Sequence, residues 1–377
     1  MESAFVFINK IPNILMKKIN LKGLTLEELK SFSVSLEEKP YRGNQLFDWL
    51  YNKRANSIDS MTTLSKEFRE KLKIHAHISD LKIINSYQSK FDGTRKFLFE
   101  LEDGNQIESV LIPPKTAFYD NESMKLEEQK RLTVCVSTQV GCPLDCVFCA
   151  TGTMGFKRNL STGEIIDQAM QIEKFAERKI TNIVFMGMGE PFLNYDNVIK
   201  AIKIFIDGMN IAARRITLST AGWIDGIFKL AEENLKIKLA ISLHTMKDEI
   251  RDKLIPINKR YNLSKLLEAV EYYYKKTKLR VTFEYIVFKN LNDKDDDVKM
   301  LTKLARSIPC KINLIPFHSI TFVKPAGIEP ELKPATMQEM EKFAQKLRKN
   351  NLTVFIRSSA GEDITAACGQ LAIKSGK

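Results

Sequence analysis

No run of roughly 20 apolar residues, the length a helix needs to cross a bilayer, occurs in this 377-residue chain. That excludes an integral helical membrane protein. The N-terminus carries Phe5, Val6, Phe7 and Ile8 but no long apolar region and no small-residue cleavage site, so a secretory signal is not expected. Internal repeats and low-complexity tracts are also missing. Cysteine is limited to six residues, and with no export signal a disulfide scaffold is not the reading they support. A disordered chain is excluded as well, because 44% of the residues are hydrophobic and supply a packed core.

Acidic residues are in deficit. Lys+Arg number 58 against 46 Asp+Glu, a formal charge of +12. A basic excess on an ordinary globular composition favours a polyanionic partner, with nucleic acid first. Part of it is local: Arg251 to Arg280 holds nine Lys/Arg against three Asp/Glu, with Tyr272, Tyr273 and Tyr274 interleaved. Lys253, Lys259, Arg260, Lys275, Lys276 and Lys278 suit phosphates, and the tyrosines suit unpaired bases. A solvated helix face with core tyrosines fits the same pattern.

The first 80 or so residues read as helices. Thr25 and Glu28 form a capping-box pattern. A second helix follows Pro40 with Leu46, Phe47, Leu50 and Tyr51 on one face, and a third covers Leu64 to Leu72. The period then changes. Lys96–Leu101 and Gln106–Ile112 flank Asp103-Gly104 and predict a hairpin. Residues 116–130 read as a polar surface loop. From Leu132 onward, strand candidates alternate with helices: 132–138, 182–187, 215–220, 236–243, 280–287 and 310–315. The helix expected over 162–177 carries Ile165, Ile166, Ala169 and Met170 on one face. Six strands separated by helices predict an α/β parallel sheet, either open or a partial (βα)6 barrel, with sites at the carboxyl ends of the strands. A last strand, 353–357, leads into the C-terminal tail.

Cys142, Cys146 and Cys149 lie on a short stretch directly after the first of these strands. Three thiolates can hold three irons of a cubane and leave the fourth iron open, whereas ordinary electron-transfer clusters use four cysteines. Structural zinc would need a fourth ligand, which Cys135 or a distant histidine would have to supply.

Cys142-x3-Cys146-x2-Cys149 resembles the motif of the radical S-adenosylmethionine (SAM) superfamily. The resemblance implies a partial barrel and a 4Fe-4S cluster with three cysteine ligands. It also implies SAM on the fourth iron, cleaved reductively to a 5′-deoxyadenosyl radical. Further motifs occur in order: 133–142, 155–160, Met186-Gly-Met-Gly-Glu-Pro191, Ser242-Leu-His244, 255–259, 310–316 and Ala366-Ala-Cys-Gly-Gln-Leu371. Together they resemble the RlmN family of rRNA adenine-C2 methyltransferases, from about Pro40 to Leu371. The Cfr type, which methylates C8 of the same adenine, is the nearest alternative. Here Gly189 to Asn194 and Gln139-Val140-Gly141 look like the C2 branch. A non-catalytic iron–sulfur RNA-binding protein is the reading from a different class.

The resemblance assigns residues to roles. Cys142, Cys146 and Cys149 hold the cluster. Gly189, Glu190, Ser219, Ser242, Leu243, His244 and Asn313 bind SAM, two molecules of which are used per turnover. Cys368 carries the methyl group as S-methylcysteine; its methylene radical adds to C2, a carbon that a methyl cation donor cannot alkylate directly. Cys135 then releases the protein–RNA crosslink through a disulfide with Cys368, and Glu108 takes the C2 proton. Strand alternation alone makes Glu108 a solvated residue, and Cys310 reads as a buried small hydrophobe. The implied substrates are adenine 2503 of 23S rRNA and adenine 37 of tRNAs, with the base unstacked to reach the site. The implied setting is a cytoplasmic monomer with no membrane association and an electron donor such as flavodoxin with its reductase. The expected organisation is an accessory RNA-binding domain over 1–85, a hairpin extension and loop over 86–127, a radical SAM core over 128–357, and a C-terminal segment with the methyl-carrying cysteine over 358–377.

Overall fold

The computed structural model describes residues 18–114, 131–320 and 332–373. The polar stretch 116–130 falls outside them, and so does the extreme N-terminus. The chain divides into two compact units, Met1–Asp80 and Leu81–Lys377.

In the first unit, strand β1 (Ile19–Asn20) is followed by helices α1 (Leu26–Ser35), α2 (Tyr41–Phe47) and α3 (Lys66–His75), then strand β2 (Ala76–His77), which pairs in parallel with β1. The Thr25 hydroxyl accepts from the Glu28 amide, and the Glu28 carboxylate accepts from the Thr25 amide, the reciprocal cap its sequence predicts. The second helix runs on beyond Phe47 as a single π-type turn, Asp48–Asn52. Leu46, Leu50 and Tyr51 are fully buried, and Tyr51 donates its hydroxyl proton to the Leu24 carbonyl at 2.8 Å.

The second unit opens with an antiparallel meander, β3 (Lys82–Gln88), β4 (Arg95–Glu100) and β5 (Gln106–Ile112). Strand β6 (Thr133–Cys135) starts the parallel series and is followed by a short antiparallel ribbon, β7 (Gln139–Gly141) with β8 (Phe156–Asn159). The βα alternation then runs through α4 (Thr162–Ala176), β9 (Asn182–Phe185), α5 (Tyr195–Asp207), β10 (Ile216–Thr220), α6 (Ile224–Glu232) and β11 (Lys238–Ser242). It continues through α7 (Asp248–Leu254), α8 (Leu263–Thr277), β12 (Val281–Val287), α9 (Asp295–Ser307), β13 (Cys310–Pro316), α10 (Met337–Lys349) and β14 (Val354–Ile356).

One ten-stranded sheet results, in the order β14-β13-β12-β11-β10-β9-β6-β5-β4-β3. The seven strands from β6 to β14 in this order are mutually parallel, and the meander adds three antiparallel strands beside β6. The six expected strands are all present, and the seventh extends the same sheet. Helix α4 begins at a Ser161/Glu164 capping box and buries Ile165, Ile166, Ala169 and Met170, the face its periodicity marks.

The first parallel strand is shorter than the apolar run 132–138 suggests. Its ladder stops at Cys135, and at Ser137 the buried Gln168 amide takes over. The Ser137 N–H donates to Gln168 Oε1 at 2.8 Å, and Gln168 Nε2 donates to the Ser137 carbonyl at 3.0 Å. A side chain thus satisfies the backbone where the sheet partner no longer reaches.

Candidate active site

The ribbon β7–β8 closes the neck of the cysteine loop. Its last bond runs from the Cys142 amide to the Gly155 carbonyl at 2.9 Å. Gly141 has φ +76°, and a Cβ there would lie 1.8 Å from the Gly155 oxygen, so only glycine fits. Inside the neck, Cys149 N–H donates to the Cys146 carbonyl at 3.0 Å, and Val147 N–H donates to the Leu254 carbonyl at 3.1 Å. Phe148 anchors the loop in a cluster with Leu254, Ile255, Ile286 and Phe288.

The loop gathers its three thiols. Burial pushes Cys142 up to about 12 and Cys146 well above the usual thiol range, and each is raised further by charge on the Cys149 sulfur. Arg251, fully buried, lies across from them. Its guanidinium donates to the carbonyls of Leu243, Ser242 and Ala221 and to Asn258 Oδ1, all neutral acceptors. Cys146 is the leading charge that favours its ionised form.

Among the described residues no three His, Cys, Asp or Glu side chains close on a single-ion site. Three thiolates bound to separate irons of a cubane need no such convergence. Thiols whose ionisation is opposed by burial and by one another fit a cationic iron cluster, which stabilises thiolate.

The residues expected to bind SAM stand at or just beyond the carboxyl ends of neighbouring strands, except Ser219 and Asn313, which lie within theirs. Gly189 follows β9 with φ +98°, and a Cβ would come within 2.6 Å of the Gln139 Cβ. Glu190 is buried; its carboxylate accepts from the amides of Phe192 (3.1 Å) and Ala221 (2.8 Å), and burial raises it to about 7. Ser219 is on β10, Ser242 ends β11, and Leu243 and His244 follow it. Asn313, in the middle of β13, donates to Glu284 Oε1 at 3.0 Å.

Glu284 was not singled out by its sequence context. It is buried, its carboxyl is raised by that burial, and Arg357 lies 3.7 Å from Oε1. Its Oε2 has no hydrogen-bond partner among the described residues. A buried carboxylate oxygen of this kind fits a ligand rich in hydroxyl and ammonium donors, as SAM is.

His244 is buried and neutral. Its Nδ1 accepts from the Ile286 amide at 3.0 Å, its ring meets the Phe148 ring edge-on at 4.7 Å, and burial pulls it down to about 3. With Nδ1 accepting, the proton is assigned to Nε2, which makes that atom a donor. A histidine depressed in the folded state contributes stability that is present above its ordinary value of about 6.5 and lost as the pH falls toward about 3. Urea titrations should therefore show wild type losing about 1.4 kcal/mol more per pH unit below 6.5 than His244→Gln. Parallel pH slopes for the two proteins would contradict the assignment.

Cys135 and Cys368 line one cavity of about 50 Å³, with Val110, Met186, Arg357 and Ala367 among its walls. Burial pushes Cys135 up to about 12, and the Cys368 thiol is raised as well although the residue is exposed to solvent; Arg357 pulls both back. The register explains the meeting. Val110 lies opposite Cys135, so Glu108, two residues away on β5, shares its face. Glu108 is buried, only 4% exposed, which corrects the solvated reading from alternation. It pairs with Lys96 at 2.9 Å and accepts from the Ala372 amide at 3.0 Å.

Polar contacts fasten the segment that carries Cys368. The Ala150 amide, one residue after Cys149, donates to the Gly369 carbonyl at 2.6 Å, and Thr151 Oγ1 donates to the Leu371 carbonyl at 2.6 Å. Upstream, Asp92 Oδ2 accepts from the Gly361 amide at 2.9 Å, and His318 contacts both Ser359 Oγ and Glu362. The loop that gathers three thiols thus also holds the fourth near the fifth. Cys310, in contrast, is a buried opening residue of β13, with burial raising it to about 11.

The basic and aromatic stretch divides. Tyr273 is core, donating to the Ile237 carbonyl at 3.2 Å. Tyr272 and Lys276 both engage Glu232, and Lys275 pairs with Glu271. Arg260 packs over the Trp223 and Tyr261 rings.

A parallel βα sheet with a three-cysteine loop following its first parallel strand, and polar residues at the carboxyl ends of the next, is the architecture of a radical SAM enzyme. Residues 136–301 match the radical SAM superfamily, and residues 19–78 match the ribosomal RNA large subunit methyltransferase N-terminal domain. A probable dual-specificity RNA methyltransferase RlmN from Thermotoga maritima is 45% identical, over 94% of this chain and 98% of its own. Its counterpart from Christiangramia forsetii is 41% identical, over 95% and 97%. The crystal structure of a radical SAM methyltransferase from Sphaerobacter thermophilus aligns with a TM-score of 0.82 at 40% identity, covering 94% of this chain and 99% of that one. The chain belongs to the RlmN family of radical SAM RNA methyltransferases. No helix among the described residues is long and apolar enough to cross a membrane.

Proposed function

We propose that this enzyme methylates C2 of adenine 2503 in 23S rRNA and C2 of adenine 37 in tRNAs, by way of S-methylcysteine at Cys368. The observation that carries the reading is the meeting of Cys135 and Cys368 in one cavity, on a segment tied to the cysteine loop and to Glu108. Binding RNA alone requires neither thiol.

Cys142, Cys146 and Cys149 would hold a 4Fe-4S cluster carrying SAM, and when bound the pair supplies a carbon-centred radical able to abstract hydrogen from a methyl group. Gly189, Glu190, Ser219, Ser242, Leu243, His244 and Asn313 form the SAM pocket. Neutral His244 offers Nε2–H as a donor, and Glu190, raised to about 7, suits the SAM ammonium. Cys368 accepts a methyl group from one SAM and, after activation by a second, presents the carbon to adenine C2. The adduct gives up one electron, for which the cluster would be the acceptor, and Glu108 takes the C2 proton; the two losses together rearomatise the ring. Cys135, as thiolate, attacks the Cys368 sulfur; the electron pair of the broken S–C bond stays with the transferred carbon, which takes up a proton to complete the methyl group, and a Cys135–Cys368 disulfide remains. The Met1–Asp80 unit and the basic surface supply RNA contacts, and a flavodoxin-type donor supplies electrons to a monomeric enzyme.

The test is mass spectrometry of nucleosides from unmodified 23S rRNA incubated anaerobically with reconstituted enzyme, SAM and a reductant. The expected product is 2-methyladenosine. If only 8-methyladenosine forms, the choice of carbon is wrong. If SAM is cleaved but neither product appears, the rRNA assignment fails and tRNA is assayed next.

A further inference from the structure

One buried ion pair grips both ends of the segment that presents Cys368. Lys96 and Glu108 are diagonal neighbours on β4 and β5: Lys96 pairs across with Val110, and Glu108 with Leu98. Their side chains are nearly inaccessible, at 7% and 6%. A lysine and a glutamate are almost never this deeply buried unless paired, and here they pair with each other at 2.9 Å. From this pair, two arms reach the C-terminal segment. Lys96 Nζ donates to the Thr365 carbonyl at 3.3 Å and to Thr365 Oγ1 at 3.0 Å, while Glu108 Oε2 accepts from the Ala372 amide at 3.0 Å. Cys368 lies between those two anchor points.

The anchored backbone is strained. Thr365 adopts φ +51°, ψ +44°, a left-handed conformation that a β-branched residue rarely takes. Such a conformation persists only where the surroundings enforce it. Lys96 supplies two bonds to this residue, beside the turn bonds from the Thr365 amide to the Glu362 carbonyl and from the Ala366 amide to the Gly361 carbonyl.

We propose that Lys96 is a positioning residue: its ion pair with Glu108 clamps the 365–372 segment and so sets where the Cys368 sulfur stands. The proposal rests on the reading of Cys368 as the methyl carrier. It also gives the Glu108 carboxylate a second task, because the group read as proton acceptor is one jaw of the clamp.

The test is hydrogen exchange, followed by mass spectrometry, on the full-length enzyme, reading peptides that span 361–373 against peptides of β10–β13 as an internal control. Lys96→Met should speed exchange at residues 366–372 by roughly tenfold or more, with the control peptides unchanged. Lys96→Arg, which keeps the cation, should recover most of the protection. Removing one partner leaves the other charge buried, so a Lys96→Met/Glu108→Gln double variant guards against misfolding. It should stay folded and still exchange fast over 366–372. In methylation assays Lys96→Met should lower kcat, with KM for RNA and reductive SAM cleavage held near wild type.

Equal exchange over 366–372 in wild type, Lys96→Met and the double variant overturns the clamp. These rates do not depend on the chemistry assigned to Cys368. If Cys368→Ala methylates normally while exchange behaves as predicted, the methyl-carrier reading fails and the clamp stands. If Cys368→Ala is inactive while exchange is unchanged, the clamp fails and the reading stands.

Discussion

Cys368→Ala should lose RNA methylation by roughly a thousandfold or more while reductive SAM cleavage continues. The separation follows from geometry. Cys142, Cys146 and Cys149 belong to a loop whose neck is closed by β7 and β8 and whose Phe148 is anchored in the core. None of those contacts involves the Cys368 side chain. The segment is held by backbone bonds instead, from Ala150 N–H to the Gly369 carbonyl and from Thr151 to the Leu371 carbonyl, and alanine leaves them intact. The substitution thus removes the sulfur and little else. Paired assays for 5′-deoxyadenosine and 2-methyladenosine on one preparation check it. Normal 2-methyladenosine formation by the variant would end the methyl-carrier mechanism. Parallel loss of both activities would mean that Cys368 supports the cluster or SAM rather than carrying carbon.

Cys135→Ala should stop turnover at a different point and accumulate a covalent protein–RNA species. Cys135 lies at the end of β6 in the same cavity as Cys368, and burial holds its thiol up at about 12. A buried thiol of this kind is a poor nucleophile. Arg357, which pulls both cavity thiols down, is the group on hand to favour thiolate. Without Cys135 the crosslink through Cys368 has no sulfur to displace it. Denaturing electrophoresis after a single turnover should show a slow, nuclease-sensitive band in the variant and little in wild type. Turnover at the normal rate with no such band removes Cys135 from the release step.

Local signals carried much of this architecture. The Ser161/Glu164 and Thr25/Glu28 pairs marked helix starts because a cap is a contact between residues three apart. The βα alternation marked the parallel strands because each is a short run with apolar residues on its buried face, as Ile216 and Leu218 are on β10, set between helical stretches. The cysteine spacing located the loop, although not the ribbon that closes it; β7 and β8 are too short to show a period. Burial of Glu108 was hidden for a different reason. Its cover comes from Ala372, 264 residues away, and no window along the chain sees that. The partial signal was the hairpin itself: with its turn at Asp103-Gly104, Lys96 and Glu108 fall on one face as opposite charges at diagonal positions. Arg357 and Glu284 gave no signal at all. Each looks like an ordinary charged residue of a strand until the sheet places one beside the other.

The order of synthesis gives the clamp a meaning in time. Thr365 leaves the ribosome 269 residues after Lys96, when the sheet that holds Lys96 and Glu108 already has all of its strands. Domains form progressively from the N-terminal side as a chain is made. Until then Lys96 and Glu108 lack the Thr365 and Ala372 contacts that cap them. Only when residues 365–372 arrive are both charges capped and Cys368 brought to the cavity of Cys135. A nascent chain thus has the last strand of its scaffold, β14, only nine residues before Thr365, and its reactive centre is the last part to assemble.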